Sequence, residues 1–295
     1  VPSAGSGIIV EEREGELLIV SNNHVVANSD TLEVTFIDGT TATAHIKGQD
    51  SEMDLAVISV PLDSLSEETR KAITVATLGD SDKLKLGEPV IAIGNALGNG
   101  QSVTNGIISA LDREVTNEDG TTGSYIQTNA AINGGNSGGA LLTITGEVIG
   151  INSGKIRGTG VEGMGYAIPI SKASPIIADL MERQTRADKV AEEEMGSMGI
   201  SLQEVNAEMA QYLGMPQGVH VMEVDENSAA EAAGMKKRDI IVKFDGQRIS
   251  SYADLQDVLQ YYRAGETVTV TVKRIVDGEY ESLDLELTLG TRTAE

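Results

Sequence analysis

Cysteine and tryptophan are absent from the 295 residues, proline occurs 6 times and aromatic residues make up only 3%. Without cysteine there is no disulfide framework and no thiolate metal site, so thiol usage says nothing about the compartment. No stretch of 18 or more apolar residues could form a membrane-spanning helix. Positive charge is scarce: 22 Lys and Arg stand against 45 Asp and Glu, a formal net charge of −23. That balance opposes binding to nucleic acid or to an anionic membrane, whose phosphates must be neutralised by Lys and Arg. What the chain does have is 40% hydrophobic residues and 33 glycines, enough apolar side chains for about two compact domains at this length.

In the first 170 or so residues, short apolar or alternating runs are separated by Gly, Asn and Asp, the punctuation of a barrel. Gly5–Val10 reads as a strand already under way. Further strands are predicted at Leu17–Val20, in a hairpin over Thr31–Ile46 turning at Asp38-Gly39, and at Pro89–Gly94, Gly106–Leu111, Tyr125–Thr128, Glu147–Asn152 and Tyr166–Ile168. Over Ser171–Arg183 the period changes, with Ile176, Ile177, Leu180 and Met181 on one helical face. This helix closes a first domain at residues 1–183, and the polar stretch 184–195 reads as a connector. Residues 196–295 mix strands at Gly218–Val224, Ile240–Phe244, Thr267–Lys273 and Leu283–Leu289 with helices opened by Ser228 and Ser251, a small α+β domain. The start at Val1-Pro2, without methionine, predicts that an N-terminal signal or anchor precedes this chain.

Three segments carry chemistry: Ser21-Asn-Asn-His-Val-Val26, Ser51-Glu-Met-Asp-Leu-Ala-Val57 and Asn133-Gly-Gly-Asn-Ser-Gly-Gly-Ala140. Each alone reads as a strand end or a turn, but the order histidine, aspartate, serine is that of chymotrypsin-type enzymes. A serine hydroxyl attacks a carbonyl only when an imidazole takes its proton, and the imidazole needs an acceptor on its other nitrogen. Ser137, His24 and Asp54 are the candidates for those roles. The resulting oxyanion needs fixed donors, and glycines flanking the serine free the backbone N–H groups of Gly135, Asn136 and Ser137 to converge.

With these motifs the chain resembles the HtrA/Deg family of serine proteases along nearly its whole length. The likeness is carried by Gly5-Ser-Gly7, Asn22–Val26, Asp54–Val57, Gly94-Asn95 with Leu97-Gly98, Gly106–Leu111, Ala130–Asn133 leading into Gly135–Gly139, Gly150–Asn152 and Gly165–Pro169. It departs at Asn129, where aspartate is usual, and at Gly134 and Ala96, where proline is common. The resemblance implies a mainly β fold: a chymotrypsin-like double six-stranded β-barrel, here without its N-terminal strand, followed by a PDZ domain. It implies an extracytoplasmic endopeptidase of protein quality control, acting on unfolded or damaged polypeptides and forming a homotrimer in the full-length protein. No cofactor or metal is implied, and Arg113 falls at the place of a loop arginine that relays regulatory signals. The alternative is a peptide-binding or holdase module whose protease domain is held inactive.

In chymotrypsin-like enzymes the sixth residue before the serine lies at the base of the specificity pocket, where aspartate selects Lys or Arg. Here it is Ala131, and with Ile132 beside it the expectation is a small or medium apolar residue before the cut. Lys155, in the segment expected to line the same pocket, would tolerate an acidic or polar group. In the second domain Ser197, Met198, Gly199 and Ile200 match the family's carboxylate-binding loop, Ile200–Val205 is the expected edge strand, and Leu255, Val258 and Leu259 are the expected opposite wall. Tyr212-Leu-Gly-Met215 is a competing loop. Gly158–Gly163 fits a dinucleotide pattern, but no helix is expected after it, so it is assigned to an active-site loop. His45 and His220 read as surface or packed residues.

Overall fold

A computed structural model describes residues 4–27, 29, 31–95, 100–116, 122–154, 163–205 and 207–291. The chain divides into two compact units, residues 1–185 and 186–295. Arg186, the first residue of the second unit, stacks on the Tyr262 ring and pairs with Glu266 at 2.6 Å. Part of the stretch expected to be a connector is thus packed into the second unit.

In the first unit the strands are β1 (Ile8–Arg13), β2 (Glu16–Ser21), β3 (Leu32–Thr35), β4 (Thr41–Asp50), β5 (Leu55–Pro61), β6 (Pro89–Gly94), β7 (Ser102–Thr116), β8 (Thr122–Thr128), β9 (Ala140–Thr143), β10 (Val148–Asn152) and β11 (Gly165–Pro169). The helices are α1 (Asn23–Val26), α2 (Glu67–Ala72) and α3 (Ile170–Glu182). The order β10-β11-β8-β7-β6-β9 closes a six-stranded barrel, whereas β1-β2-β5-β4-β3 is a five-stranded sheet. A double barrel without its N-terminal strand was expected; among the described residues one half closes with six strands and the other is a sheet of five.

Strands β2 and β5 explain how the halves join. Leu17 and Ile19 pack with Ala56, Ile58 and Val60 in one core, while Leu18 and Val20 pack with Leu55 and Val57 in another. Alternate side chains of one strand point to opposite faces, so these two strands are apolar on both sides and serve as the wall between two cores. The second of those cores also takes Val148, Ile151 and Ile168 from the barrel, with Ile170, Ala173, Ile177 and Leu180 of α3. The barrel keeps a separate filling of Val90, Ala92, Ile108, Ile126, Leu141, Ile149 and Ala167. Beside this wall Lys47 reaches Glu16 at 2.7 Å, and Thr185 donates to the other Glu16 oxygen at 2.6 Å. Burial pushes the Glu16 carboxyl up, but the bonds from Lys47 and Thr185 outweigh it and hold the group below its ordinary value.

The second unit contains β12 (Gly196–Ser197), β13 (Ile200–Val205), α4 (Ala207–Leu213), β14 (Gly218–Val224), α5 (Ala229–Ala232), β15 (Ile240–Phe244), β16 (Gln247–Arg248), α6 (Tyr252–Leu259), β17 (Thr267–Val276), β18 (Glu279–Thr288) and β19 (Gly290–Thr291). The main sheet runs β13-β14-β15-β17-β18, which leaves β13 on an edge. Helix α6 starts with a full capping box: Ser251 accepts from Asp254 N–H at 3.1 Å and Asp254 accepts from Ser251 N–H at 3.0 Å. Ser228 caps α5 by accepting from Glu231 N–H at 3.1 Å, while the Glu231 carboxylate reaches back to Asn227 N–H at 2.7 Å. Asp239, 1% exposed, is held by Arg274 at 2.7 Å, and this carboxylate raises the guanidinium above its ordinary value. His220 on β14 is half-buried; burial, then the charge of Arg238, lowers its imidazole below the usual range.

Candidate active site

His24 lies on α1, one turn directly after β2, and Asp54 ends the turn between β4 and β5. Asp50 ties that turn by accepting from Glu52 and Met53 N–H, each at 2.9 Å. Asp54 adopts φ +55°, a left-handed conformation that Asp tolerates better than most residues. Its carbonyl accepts from Asn22 Nδ2 at 2.9 Å and Asn23 N–H at 3.1 Å. The carboxylate takes His24 N–H on Oδ1 at 2.9 Å and meets His24 Nδ1 through Oδ2 at 2.7 Å. Two bonds therefore fix the carboxylate to His24 and two more fix the Asp54 backbone beside it, and Nδ1 is occupied so that Nε2 is left to exchange a proton.

The serine loop is locked against the same region. Gly138 has φ +83°, and a Cβ there would lie 2.2 Å from Ser6 O and 2.3 Å from Ser21 Oγ. Only glycine fits, and its close approach lays the loop along the residues just before His24. Gly138 N–H donates to Asn152 O at 2.9 Å, and Asn152 N–H donates to Gly139 O at 2.8 Å. Ser137 is 4% exposed, and its Oγ accepts from Gly154 N–H at 3.0 Å. Among the described residues no hydrogen bond joins Ser137 Oγ to His24. The carboxylate–imidazole contact is formed, and the imidazole–hydroxyl contact is open.

Of the three expected oxyanion donors, Asn136 N–H is directed to Asn133 O at 3.0 Å. This corrects its assignment, because a donor closing a tight turn is not aimed at a ligand. The N–H groups of Gly135, at φ +94°, and of Ser137 have no partner among the described residues. Ala131 is exposed and its carbonyl accepts from Thr104 Oγ1 at 3.0 Å. Ile132 is half-buried against Gly165, where a Cβ would come within 3.0 Å of its Cδ1. Lys155 and most of Gly158–Gly163 lie outside the described residues. Arg113 sits exposed on β7 opposite Tyr125 of β8. Asn129 uses Oδ1 to accept from Ile107 N–H at 2.8 Å, a role an aspartate would fill equally well.

In the second unit Met198 O accepts from Ala230 N–H at 2.9 Å and Gly199 O from Asp225 N–H at 3.0 Å. These bonds turn the loop carbonyls inward. The N–H groups of Met198 and Gly199 have no partner among the described residues, and Gly199 is at φ +69°. Ile200 and Leu202 on β13 are half-buried, as is Leu259 on α6. Leu255, at 1% exposure, and Val258, at 7%, are core residues packed with Phe244 and Val270. Both are closed into the core, while Leu259 beside them stays half-buried. Tyr212-Leu-Gly-Met215 is the end of α4, where Met215 N–H bonds Ala210 O at 3.0 Å and Tyr212 is 89% exposed. Sequence reasoning missed Gly154 as a partner of the serine and Asn22 as a tie to Asp54; neither residue type signals such a role by itself.

Fold and site define the class: a trypsin-like peptidase unit followed by a PDZ unit. Residues 5–151 match the trypsin-like peptidase domain family and residues 196–287 the PDZ domain family. The chain is 36% identical to the serine protease Do-like HtrA of Lactococcus lactis subsp. lactis, over 99% of this chain and 72% of that protein. It is 37% identical to the periplasmic serine endoprotease DegP of Escherichia coli K12, over 96% of this chain and 56% of that one. Among solved structures it is similar to the HtrA-type protease AlgW with a tripeptide, at 32% identity and a TM-score of 0.53, covering 99% of this chain and 91% of that one. The chain belongs to the HtrA family of serine proteases. It spans 58% to 66% of the length of four curated relatives it matches. Among the described residues no helix is long and apolar enough to cross a membrane.

Proposed function

We propose that this chain is a serine endopeptidase in which Ser137 is the nucleophile, His24 the general base and Asp54 the group that orients and stabilises the imidazolium. The observation that carries the reading is the Asp54–His24 contact at 2.7 Å with the serine loop sealed against the segment that bears the histidine. As Ser137 Oγ attacks the scissile carbonyl, its proton passes to His24 Nε2, and the N–H groups of Gly135 and Ser137 receive the oxyanion. His24 then hands the proton to the leaving amine, and water deacylates the enzyme by the reverse route. Ala131 and Ile132 favour a small or medium apolar side chain before the cut. The second unit takes a C-terminal peptide as an added strand on β13, its carboxylate held by N–H groups of the Ser197–Ile200 loop. Unfolded or damaged extracytoplasmic polypeptides are the substrate class, a role supported by the periplasmic names of two relatives.

The open link between Ser137 and His24 favours a second reading, a resting or binding-only state. A fluorophosphonate probe separates the two. Stoichiometric labelling that Ser137→Ala abolishes supports the endopeptidase; absence of label even with unfolded substrate and C-terminal peptides present supports the binding module.

A further inference from the structure

Gly5-Ser-Gly7 contributes no group to the chemistry, yet Ser6 is bonded to the Gly135–Ser137 loop, to Asn95 after β6 and to Ser21 at the end of β2. Its Oγ donates to Gly135 O at 2.7 Å and accepts from Asn95 N–H at 2.7 Å. Its N–H donates to Ser137 O at 2.8 Å, and its carbonyl accepts from Ser21 Oγ at 2.7 Å. The glycines on either side are forced by space. A Cβ on Gly5 would lie 2.4 Å from Val25 Cγ1, and one on Gly7 would lie 2.6 Å from Ile19 Cγ2. The segment is therefore wedged between the strand and turn leading to His24 and the loop bearing Ser137.

We propose that Ser6 is a positioning residue for the reaction: its hydroxyl pins the Gly135 carbonyl and its main chain pins Ser137, keeping oxyanion donors and nucleophile in register with His24. The inference rests on the reading of Ser137 and His24 given above. Gly135 needs such a pin. As a glycine at φ +94° it has wide backbone freedom of its own; its N–H belongs to the Gly134–Gly135 peptide, and holding its carbonyl anchors the Cα from which that peptide hangs, so the donor is less free to swing out of the site. Because Asn95 N–H occupies one lone pair of Ser6 Oγ, the hydroxyl proton is left for Gly135 O, and the two bonds strengthen each other. Asn95 follows directly on β6, so the barrel wall is tied through one hydroxyl to the oxyanion loop.

The test compares Ser6→Ala and Ser6→Thr with wild type in the full chain, reading peptide hydrolysis, thermal stability and amide hydrogen exchange over residues 133–139. If the hydroxyl is the pin, Ser6→Ala lowers kcat by about tenfold or more with KM within about twofold, exchange over 133–139 accelerates, and exchange in β17 and β18 stays unchanged. Ser6→Thr, which keeps the hydroxyl, restores most of kcat and the protection. Equal losses in both variants, unchanged kcat with unchanged exchange, or a loss that follows only the fraction folded would each overturn the proposal. A wild-type chain that takes no label and cleaves nothing overturns the protease reading instead. In that case faster exchange over 133–139 in Ser6→Ala still supports the pin, and unchanged exchange overturns it.

Discussion

The two units spend their interiors differently. In residues 1–185 the buried polar side chains include Ser21, Asn22, Gln49, Ser59, Thr128, Asn136, Ser137, Asn152 and Ser153; in residues 186–295 only Asp239 and Thr271 are buried polar groups among the described residues. Buried polar groups are costly unless bonded, so a unit that carries many uses them for something packing cannot supply. Most of those in the first unit lie in the segments around His24, Asp54 and Ser137, where direction matters more than adhesion. The second unit instead has an apolar interior centred on Phe244 and an edge strand. On the function proposed above, one unit holds a few atoms in fixed relation and the other keeps a sheet edge open to a peptide.

The sharpest way to break this comparison is Asp54→Asn. With the proposed orienting carboxylate gone but the side-chain shape kept, kcat should fall by roughly 10³- to 10⁴-fold while thermal stability shifts by only a few degrees; a loss under tenfold in steady-state hydrolysis would contradict the assigned role. Next comes Leu255→Ala in the second unit, which leaves a void beside Phe244 and should cost about 2–5 kcal/mol in chemical denaturation of that unit. Probe labelling of Ser137 should survive it, because the core affected is a separate one. Gly154→Ala should lower the acylation rate about 10- to 100-fold, an effect of ~1–3 kcal/mol, since a Cβ there would stand 2.9 Å from Ser137 Oγ and 3.0 Å from Asn133 O. Unchanged labelling kinetics would mean that the loop yields more readily than its bonding implies.

Glu16→Gln tests the smallest difference. Its folded-state carboxyl is held below the ordinary value, so the stabilisation is present above the unfolded-state value and fades as pH falls through the folded one. The variant should be less stable than wild type by under about 1 kcal/mol at neutral pH, and the gap should close in acid. A gap that widens on acidification, measured by urea denaturation, would refute the sign.

How much of this was legible beforehand depended on whether a residue's role was local. The helix over Ile170–Glu182 and the two capped helices of the second unit are marked by spacing and by caps within a few residues. The run Leu55–Val60 does not announce itself as a strand because it shows no alternation, its one polar residue, Ser59, being buried with the rest; a wall buried on both faces loses the pattern that marks a half-exposed strand. Strand β9 was hidden by the glycine-rich turn before it, and α4 by the absence of a marked start. Leu255 and Val258 could be read as apolar helix positions, but whether such a face lines a groove or fills a core depends on what lies opposite. Ser6 stood in plain view in its motif, yet nothing near it in sequence names Gly135 or Asn95 as its partners.

The left-handed backbone at Asp54 has a practical consequence for anyone who interrogates this chain by alanine scanning. A residue with an ordinary Cβ and no hydrogen-bonding side chain is uneasy at φ +55°, so alanine at that position would perturb the turn that carries Leu55 into its strand while also deleting the charge. Its deficit would conflate geometry with electrostatics, and the asparagine replacement is the informative one because it leaves the turn's torsions nearly undisturbed.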